Sequence, residues 1–430
     1  MRLLYALLTY SVLPFILLRL WLKSGRHSHF AAHWTEWLGF GPQPFTVSPL
    51  WIHAASMGEA QIAVAFTKRL RAQFPKLSIL LTHTTATAAK QIQMNSLGAQ
   101  VKRRYMPLDI PFAIRRFLNT VRPRALLLIE TELWPYCLYL CYRRRIPVVL
   151  VNARLSERSA RRYRRFTGSL IRQMLNQLSC VLAQTQSDAE HFLELGLAAD
   201  RIHVMGNIKY DLEVPAQLLS AGQTLRETWG GLQRPVWIAA STHLGEAVPL
   251  LQAYAEVRLA LPNSLLIWVP RHLETVAAIK AHCFAQGYRV ACRSDAVLAA
   301  SFLEIDIFIG DTMGELLLYY AASDLAFIGG SLVPKGGQNP IEAAILELPV
   351  LFGPHTFNFT QITEQLIQCR GAIRITQAHQ LALQLISLLK DKNQRQQIGQ
   401  AAQQCVAQNQ GALHRQMVHI ETLLNHVLSA

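Results

Sequence analysis

Short apolar runs that alternate with helical patterns constrain the fold of this chain more than any other feature. In the first half the apolar runs lie at 50–55, 78–82, 125–129, 147–151 and 180–184. Helical patterns lie between them, at 60–73, 111–119, 134–145 and 187–195. Strands that helices cover on both faces are apolar along their whole length, so this alternation predicts a doubly wound α/β domain with a parallel sheet.

The same alternation restarts after a polar, irregular stretch at 207–235. Apolar runs follow at 236–240, 264–269, 324–328 and 349–352, with weaker ones at 288–292 and 306–309. A chain of 430 residues suits two domains of roughly 200 residues better than one. We therefore predict two Rossmann-like doubly wound domains, the first over residues 25–210 and the second over 211–430.

The N-terminal segment is almost entirely apolar from residue 3 to residue 22 and is followed by Lys23 and Arg26. Arg19 shortens the uninterrupted run to slightly below the ~18–20 residues that a spanning helix needs. No small-residue cleavage site follows the run, which argues against a signal peptide. We predict an uncleaved membrane anchor helix over residues 1–24, spanning or interfacial, with the rest of the chain on the cytoplasmic side.

Positive charge is concentrated in the first half of the chain. Residues 1–210 hold 28 Lys and Arg against 10 Asp and Glu, whereas residues 211–430 hold 14 against 17. This asymmetry indicates an anionic partner, either nucleic acid or a membrane surface. Among the arginine runs at 143–145 and 161–165, only Tyr163 and the adjacent Phe166 could act as the interleaved aromatic residues that are typical of single-strand nucleic-acid binding. We therefore expect an anionic membrane surface as a partner, and no nucleic acid.

The seven cysteines contain no C-x-x-C pair and no spacing typical of a disulfide framework. Cys137 and Cys141 are four residues apart, but no histidine cluster accompanies them to complete a zinc site. This usage fits a reduced, cytoplasmic compartment, and we expect no metal site.

The segment 51–59, WIHAASMGE, joins a predicted buried strand to a predicted helix. Open α/β sheets carry their chemistry at such junctions, outside the carboxyl ends of the strands. Glu59 lies in the first helical turn, where the helix dipole favours a carboxylate. Ser56 and Glu59 also have the spacing of a capping box, which involves no catalysis. Spacing alone leaves both interpretations open.

Polar groups also follow two later predicted strands of the first half. Glu130 and Glu132 come directly after the run 125–129, and strand alternation places both on the same side. Asn152 and the polar segment 153–159 follow the run 147–151. A solvated loop explains one such strand end, but three of them favour a functional site.

Three junctions in the second half combine small residues with predicted helix starts, at 241–246, 310–316 and 329–342. Backbone N–H groups at such positions bind phosphate and other anions, although the same residues also fit plain helix caps. Arg271, after the run 264–269, offers a guanidinium to a phosphate group. Neither a Walker loop nor the glycine fingerprint of dinucleotide folds is present.

Together these segments resemble the 3-deoxy-D-manno-octulosonic acid (Kdo) transferases of lipopolysaccharide synthesis, which are inverting glycosyltransferases with the two-domain GT-B fold. The matching segments, in the order of the family, are WIHAASMGE at 51–59, ETELWP at 130–135, NARLSERS at 152–159, GNIKYD at 206–211, STHLGE at 241–246, PRH at 270–272, GDTMGEL at 310–316 and GGQNPIEAA at 336–344. They cover nearly the whole chain after the predicted anchor.

The resemblance implies CMP-Kdo as the donor and the tetra-acylated disaccharide precursor of lipid A as the acceptor, at the cytoplasmic face of the bacterial inner membrane. It implies a metal-independent, inverting transfer without a cofactor. It implies that Glu59 is the general base and that Glu130 and Lys209 stabilise the transition state. The residues that it implies for the CMP part are Pro270, Arg271, Met313, Gly314, Glu315, Asn339, Pro340, Ile341 and Glu342.

Two other functions would use part of this pattern. A sugar-nucleotide epimerase of the GT-B fold would have similar anion sites, but it would not need the anchor or the cationic first half. A non-catalytic, membrane-tethered protein that binds anionic lipid would use the arginine runs, but it would not need three anion sites in the other half.

Overall fold

The computed structural model describes residues 5–7, 9–12, 14, 15, 28–41, 45–95, 97–295 and 304–429. The chain divides into two compact units, one formed by Met1–Asp211 with Gln410–Ala430 and the other by Leu212–Asn409. In the part of the chain that is described, each unit contains one seven-stranded sheet, and every strand pair in it is parallel. The prediction of two Rossmann-like α/β domains is thus confirmed.

The first sheet has the strand order β3-β2-β1-β4-β5-β6-β7. Successive strands are added on one side of β1 up to β3 and on its other side from β4 onward, so the strand order reverses between β1 and β4 while all strands stay parallel. Its strands are β1 Leu50–Ala54, β2 Ile79–His83, β3 Val101–Tyr105, β4 Ala125–Ile129, β5 Val148–Ala153, β6 Cys180–Ala183 and β7 Ile202–Val204. The helices of this unit are Ser28–Trp37, Met57–Gln73, Ala86–Met94, Pro111–Val121, Pro135–Arg143, Glu157–Leu175, Gln186–Glu194 and Ala412–Ser429, with short 3-10 turns at Ala199–Arg201 and Ile208–Asp211.

The second sheet has the order β10-β11-β9-β8-β12-β13-β14, and its strand order reverses between the parallel neighbours β8 and β12. Its strands are β8 Val236–Thr242, β9 Leu265–Pro270, β10 Val290–Cys292, β11 Ile307–Ile309, β12 Leu325–Ile328, β13 Val350–Phe352 and β14 Ala372–Arg374. Its helices are Ala216–Thr228, Ala247–Ala260, Val276–Ala285, Leu316–Ala321, Ile341–Ala344, Thr360–Gln368, Ala378–Lys390 and Lys392–Gln408, with 3-10 turns at Gly231–Gln233, Leu244–Glu246 and Leu273–Thr275.

The central strands β1, β2, β4 and β9 form as predicted. Every residue in them is buried, which explains why their sequences are mostly apolar. The edge strand β3 was not predicted, since its sequence VKRRY exposes Lys102 and Arg103 and contains no apolar run. The short edge strands β7 and β14 escaped prediction for the same reason, because an edge strand has one side open to water.

The C-terminal helix Ala412–Ser429 packs on the first unit, although the sequence places the second domain over residues 211–430. Asp211 accepts hydrogen bonds from the backbone N–H groups of Gly411 and Leu413. Met417 and the apolar residues one turn on join the buried core beneath β1 and β4. The end of the chain therefore completes the first sheet's cover.

The anchor predicted over residues 1–24 lies largely outside the described residues. Residues 5–7, 9–12, 14 and 15 are helical, and the Tyr5 ring stacks on that of Tyr136 with 5.9 Å between ring centroids. No helix in the described ranges is long and apolar enough to cross a membrane. The anchor therefore remains a prediction.

Candidate functional site

The carboxyl edge of the first sheet brings together the acidic residues singled out in the sequence. β1 and β4 are neighbours, and the chain leaves them toward opposite sides of the sheet. Such a reversal opens a crevice at the carboxyl ends of the strands, where ligands bind in open α/β sheets. Glu59 follows β1 and Glu130 follows β4, so both carboxylates flank this crevice.

Glu59 is held at the first turn of the helix Met57–Gln73 by two hydrogen-bond donors. Ser56 Oγ donates to Glu59 Oε1 at 2.7 Å, and the Ala55 N–H donates to Oε2 at 2.7 Å. Ser56 Oγ also accepts from the Glu59 N–H at 3.3 Å. The helix cap suggested by the spacing is therefore present, and the same contacts fix the carboxylate at the crevice.

Burial raises the pKa of Glu59, whose surface is only 7% exposed. The hydrogen bonds from Ser56 and Ala55 lower this pKa, whereas the nearby charges of Glu132 and Glu130 raise it further. The net pKa lies above the usual carboxyl value. A carboxylate with a raised pKa is a stronger proton acceptor, which suits a general base.

Glu130 forms an ion pair that holds Lys209 at the same edge of the sheet. Lys209 Nζ lies 2.6 Å from Glu130 Oε1, and both side chains are largely buried. The Glu130 backbone is in the left-handed region, with φ +59°. Non-glycine residues held in this region cluster at functional sites, because the surrounding structure must offset the strain.

Asn152, at the end of β5, positions the turn that carries Lys209. Its Oδ1 accepts from the Ile208 N–H at 3.0 Å, at the start of the 3-10 turn Ile208–Asp211. Its own N–H donates to Gln416 Oε1 at 2.9 Å, and its φ is +50°. The sequence marked this residue as part of a polar strand end and of the segment 152–159, without a role.

Glu132 adds a third carboxylate beside a buried histidine. Its Oε2 accepts from Trp134 Nε1 at 3.0 Å and lies 3.8 Å from His53 Nε2. The His53 side chain is fully buried, and its Nδ1 lies 2.9 Å from Thr82 Oγ1. His53 lies in the middle of an apolar strand, and although the segment 51–59 contains it, the strand pattern does not distinguish it from a core residue.

The second sheet has a buried carboxylate, that of Glu246, near the point where its strand order reverses. Glu246 follows β8 and is fully buried. It accepts from the backbone N–H groups of His243 at 2.9 Å, Gly330 at 2.7 Å, Ser331 at 3.1 Å and Leu332 at 3.0 Å. The last three belong to the loop that follows β12. A protein carboxylate therefore occupies donors that the sequence suggested for a ligand, and that expectation is wrong for these three N–H groups.

Cationic side chains surround His243 at this edge. Burial lowers the pKa of His243, and the positive charges of His272, Lys335 and Arg271 lower it further. The rings of His243 and His272 are 5.4 Å apart. The backbone N–H of Arg271 donates to Thr242 O at 2.9 Å, while its side chain is exposed. This cluster can bind a phosphate group.

The residues proposed for the CMP part follow three strands of the second sheet. Pro270 ends β9, Met313–Glu315 follow β11, and Asn339–Glu342 follow β12. Met313 is exposed and Gly314 has φ +89°. Glu315 is bound by Arg293 Nη2 at 2.9 Å and by Tyr319 Oη at 3.0 Å.

The pKa values of Glu315 and Glu342 are shifted in opposite directions. The hydrogen bond from Arg293 lowers the pKa of Glu315 below its usual value. Burial raises the pKa of Glu342 to about 7, against the effects of Asn339 and Arg271, which lower it. Arg271 and Glu342 are thus brought close enough to interact. Ile341 is buried and its N–H donates to Asn339 Oδ1 at 3.2 Å.

No group of three or more His, Cys, Asp or Glu side chains within the described residues is arranged to hold a metal ion. The residues that sequence analysis did not assign are His53, Asn152, His243, Glu246, Arg293 and Lys335. His53 lies in the quoted segment 51–59, His243 and Glu246 lie in the segment 241–246, and Asn152 begins the segment 152–159. For these four, the segments gave the location but not the role.

Comparisons with known proteins place the chain among sugar transferases. Residues 32–212 match the family described as 3-Deoxy-D-manno-octulosonic-acid transferase (kdotransferase). The chain is 36% identical over 417 residues to the 3-deoxy-D-manno-octulosonic acid transferase of Haemophilus influenzae, covering 96% of each chain. It is 34% identical to the enzyme of that name from Bordetella pertussis, covering 98% of this chain and 99% of the relative.

A solved structure of a UDP-N-acetylglucosamine 2-epimerase is similar in fold. It aligns over 89% of this chain and 98% of its own, with a TM-score of 0.59 and 16% identity. At this identity the similarity concerns the fold alone.

Proposed function

Because this chain belongs to the Kdo transferase family of glycosyltransferases, we propose that it transfers Kdo from CMP-Kdo to the tetra-acylated disaccharide precursor of lipid A. The observation that carries the proposal is the arrangement of Glu59 at the reversal point of the first sheet, with its carboxylate oriented by Ala55 and Ser56. Family membership favours transfer over the epimerase and the lipid-binding alternatives.

In the proposed reaction, Glu59 accepts the proton of the acceptor hydroxyl. The hydroxyl oxygen attacks the anomeric carbon of Kdo, the bond from that carbon to the phosphate oxygen breaks, and CMP leaves with the electron pair. One in-line displacement inverts the configuration and forms no covalent glycosyl-enzyme. The raised pKa of Glu59 supports this role, since the base must hold the proton at the transition state.

Lys209 is proposed to stabilise negative charge during the transfer. Its ammonium group is fixed by Glu130 at 2.6 Å, so it is already in place when charge develops. Preorganised charges cost no rearrangement during the reaction. CMP is a good leaving group, and we therefore expect transfer without a metal ion or cofactor.

The second unit is proposed to bind the CMP part of the donor. Arg271, with the cationic side chains around His243, suits the phosphate. The segments Met313–Glu315 and Asn339–Glu342 suit the rest of the nucleotide, because they follow other strands at the same carboxyl edge. The N–H groups bound by Glu246 shape this edge and are not assigned to the ligand.

The function is tested by incubating the purified protein with CMP-Kdo and the tetra-acylated acceptor, and by following CMP release and product mass. We expect CMP release that requires the acceptor, and a product heavier by whole Kdo units. An isomerised sugar nucleotide without acceptor would support the epimerase. Binding to lipid with neither product would support the non-catalytic alternative.

Asn152 offers a test of how Lys209 is positioned. Replacing Asn152 by Gly keeps the left-handed backbone accessible but leaves the buried Ile208 N–H without its acceptor, which costs about 1–3 kcal/mol. We expect kcat for Kdo transfer to fall at least tenfold while KM for CMP-Kdo stays within twofold, because a catalytic group is displaced. Asn95→Gly, at an Asn outside the site, is the control. An unchanged kcat in Asn152→Gly would contradict the positioning role.

The cytoplasmic face of the inner membrane is the proposed location, with the anchor and the cationic helix Glu157–Leu175 as contacts. Arg161 and Arg164 form ion pairs with Glu157 and Glu194, so part of the helix charge is neutralised within the protein. Arg162 is exposed and adds to the net positive charge.

Binding of the full chain to vesicles with anionic lipid should therefore weaken as salt rises from 0.05 to about 0.5 M, since the Debye length shortens severalfold. Replacing Arg161, Arg162, Arg164 and Arg165 by Gln should reduce this salt dependence. Neutral vesicles are the control. Binding that does not respond to salt would remove the helix from the account and leave apolar insertion alone.

A further inference from the structure

A cavity of about 130 Å³ lies at the carboxyl edge of β2 and β3, one strand away from Glu59. Its lining includes the charged residues Glu36, Lys90, Arg103 and Arg104 and the histidines His33 and His83. The cavity holds a few water molecules or one group of phosphate size, since a water molecule takes roughly 30 Å³ in the liquid. None of the catalytic or CMP-binding residues proposed above lines it.

The lining combines excess positive charge with buried polar atoms. Lys90, Arg103 and Arg104 stand against one carboxylate, Glu36, among the described residues. Both oxygens of Glu36 are already used, by His33 Nδ1 at 2.9 Å and by the Tyr105 N–H at 2.6 Å. The cavity therefore has net positive charge that its own acid does not neutralise.

His83 gives the strongest indication that the cavity binds a ligand. It is only 3% exposed, and its Nδ1 has no hydrogen-bond partner among the described residues. A buried polar atom without a partner is costly, and such atoms in folded proteins call for a ligand or a bound water. Burial lowers the pKa of His83 to about 4, and the charges of Arg103, His53 and His33 contribute.

The cavity is linked to the base through two short loops. His83 is paired with Ala54 in the β1–β2 register, directly before the segment that holds Glu59. Thr85 Oγ1, the cap of the helix Ala86–Met94, donates to Ala55 O at 3.1 Å. The Ala55 N–H in turn donates to Glu59. Adjacent strands are about 5 Å apart, so the cavity at the ends of β2 and β3 lies one to two strand spacings from β1, the strand that leads to the base.

We propose that this cavity binds a phosphate monoester of the acceptor saccharide and so orients the hydroxyl that Glu59 deprotonates. The inference rests on the proposed function for the identity of the acceptor. Lysine and arginine provide charge-assisted donors for a phosphate, and the first turn of the helix Ala86–Met94 adds its positive dipole end. A neutral His83 adds one N–H donor.

The first test titrates inorganic phosphate into the full-length protein and follows the imidazole NMR signals of His83, which are assigned by their loss in His83→Asn. We expect a saturable shift and a raised pKa for His83, because a bound anion stabilises the imidazolium. Chloride at equal ionic strength should produce no such saturation. Equal effects of chloride and phosphate in the folded protein would overturn the proposal.

The second test compares two neighbouring residues of β3. Arg103→Gln removes a cation from the cavity at an exposed position, and Lys102→Gln makes the same charge change outside it. Arg103→Gln should weaken phosphate binding and raise KM for the acceptor roughly tenfold, with KM for CMP-Kdo unchanged. Lys102→Gln should leave all three values within twofold, and Arg103→Lys should restore part of the loss.

Acceptors that lack one phosphate separate the proposal from the function on which it rests. Removal of the bound phosphate should raise KM for the wild type and abolish the difference between wild type and Arg103→Gln. Transfer that is equally efficient with every dephosphorylated acceptor would overturn the cavity's role. Saturable phosphate binding at His83 without any Kdo transfer would reject the proposed function and leave the anion site standing.

Discussion

Replacement of Glu59 by Gln is expected to lower kcat for Kdo transfer by about 10²- to 10⁴-fold, the usual contribution of a general base. Glutamine keeps the shape of the side chain, and its carbonyl oxygen can still accept from the Ala55 N–H. An amide cannot take up the proton of the acceptor hydroxyl. Transfer measured as acceptor-dependent CMP release should therefore collapse while the protein stays folded.

Two controls keep this result specific. Glu157→Gln makes the same change in the first turn of another helix, at an exposed side chain, and should leave kcat within twofold. Binding of CMP-Kdo to Glu59→Gln should be close to wild type, because Glu59 belongs to the first unit and is not assigned to the donor. Undiminished transfer by Glu59→Gln would remove Glu59 from the role of base.

Glu246→Gln is expected to give the largest structural effect. Each carboxylate oxygen of Glu246 accepts from two backbone N–H groups, and an amide can serve only one of these pairs. Two buried donors then lose their acceptor, at about 1–3 kcal/mol each, so local stability should fall by about 2–6 kcal/mol. The loop 329–333 should exchange its amide hydrogens at least 30-fold faster, since each 1.4 kcal/mol is a factor of about ten.

Glu256→Gln is the matched control, because Glu256 is partly exposed and its ion pair within the described part of the chain is with exposed His379. Its effect should be within about 0.5 kcal/mol. Hydrogen exchange followed by mass spectrometry reports both variants peptide by peptide. If the 329–333 peptide of Glu246→Gln kept its wild-type exchange rate, the buried carboxylate would not be what holds this loop.

The fold was largely predictable because its central strands are buried on both faces. The runs at 50–55, 125–129 and 264–269 consist almost entirely of apolar residues, and each became a central strand. β3 could not be found in this way, because Lys102 and Arg103 interrupt its apolar pattern and are exposed at the sheet edge. The return of Ala412–Ser429 to the first unit depends on hydrogen bonds to Asp211, which no local pattern encodes.

The candidate site was predictable in position and less so in detail. Polar residues at strand ends located Glu59 and Glu130, since parallel strands bring their carboxyl ends to one edge. The spacing of Ser56 and Glu59 could not separate a helix cap from a base, and the structure contains the cap. Small residues after β12 suggested free N–H groups, but Glu246 comes from a distant segment and occupies them.

The acid limb of the pH profile of kcat/KM, compared between wild type and Glu59→Gln, tests the central claim most directly. This limb reports essential groups of the free enzyme. Burial raises the pKa of Glu59, and transfer requires its ionised form, so activity of the wild type should rise with pH through a midpoint above the usual carboxyl value. The residual activity of Glu59→Gln should lack this limb. An identical acid limb in both proteins would show that another group is the base.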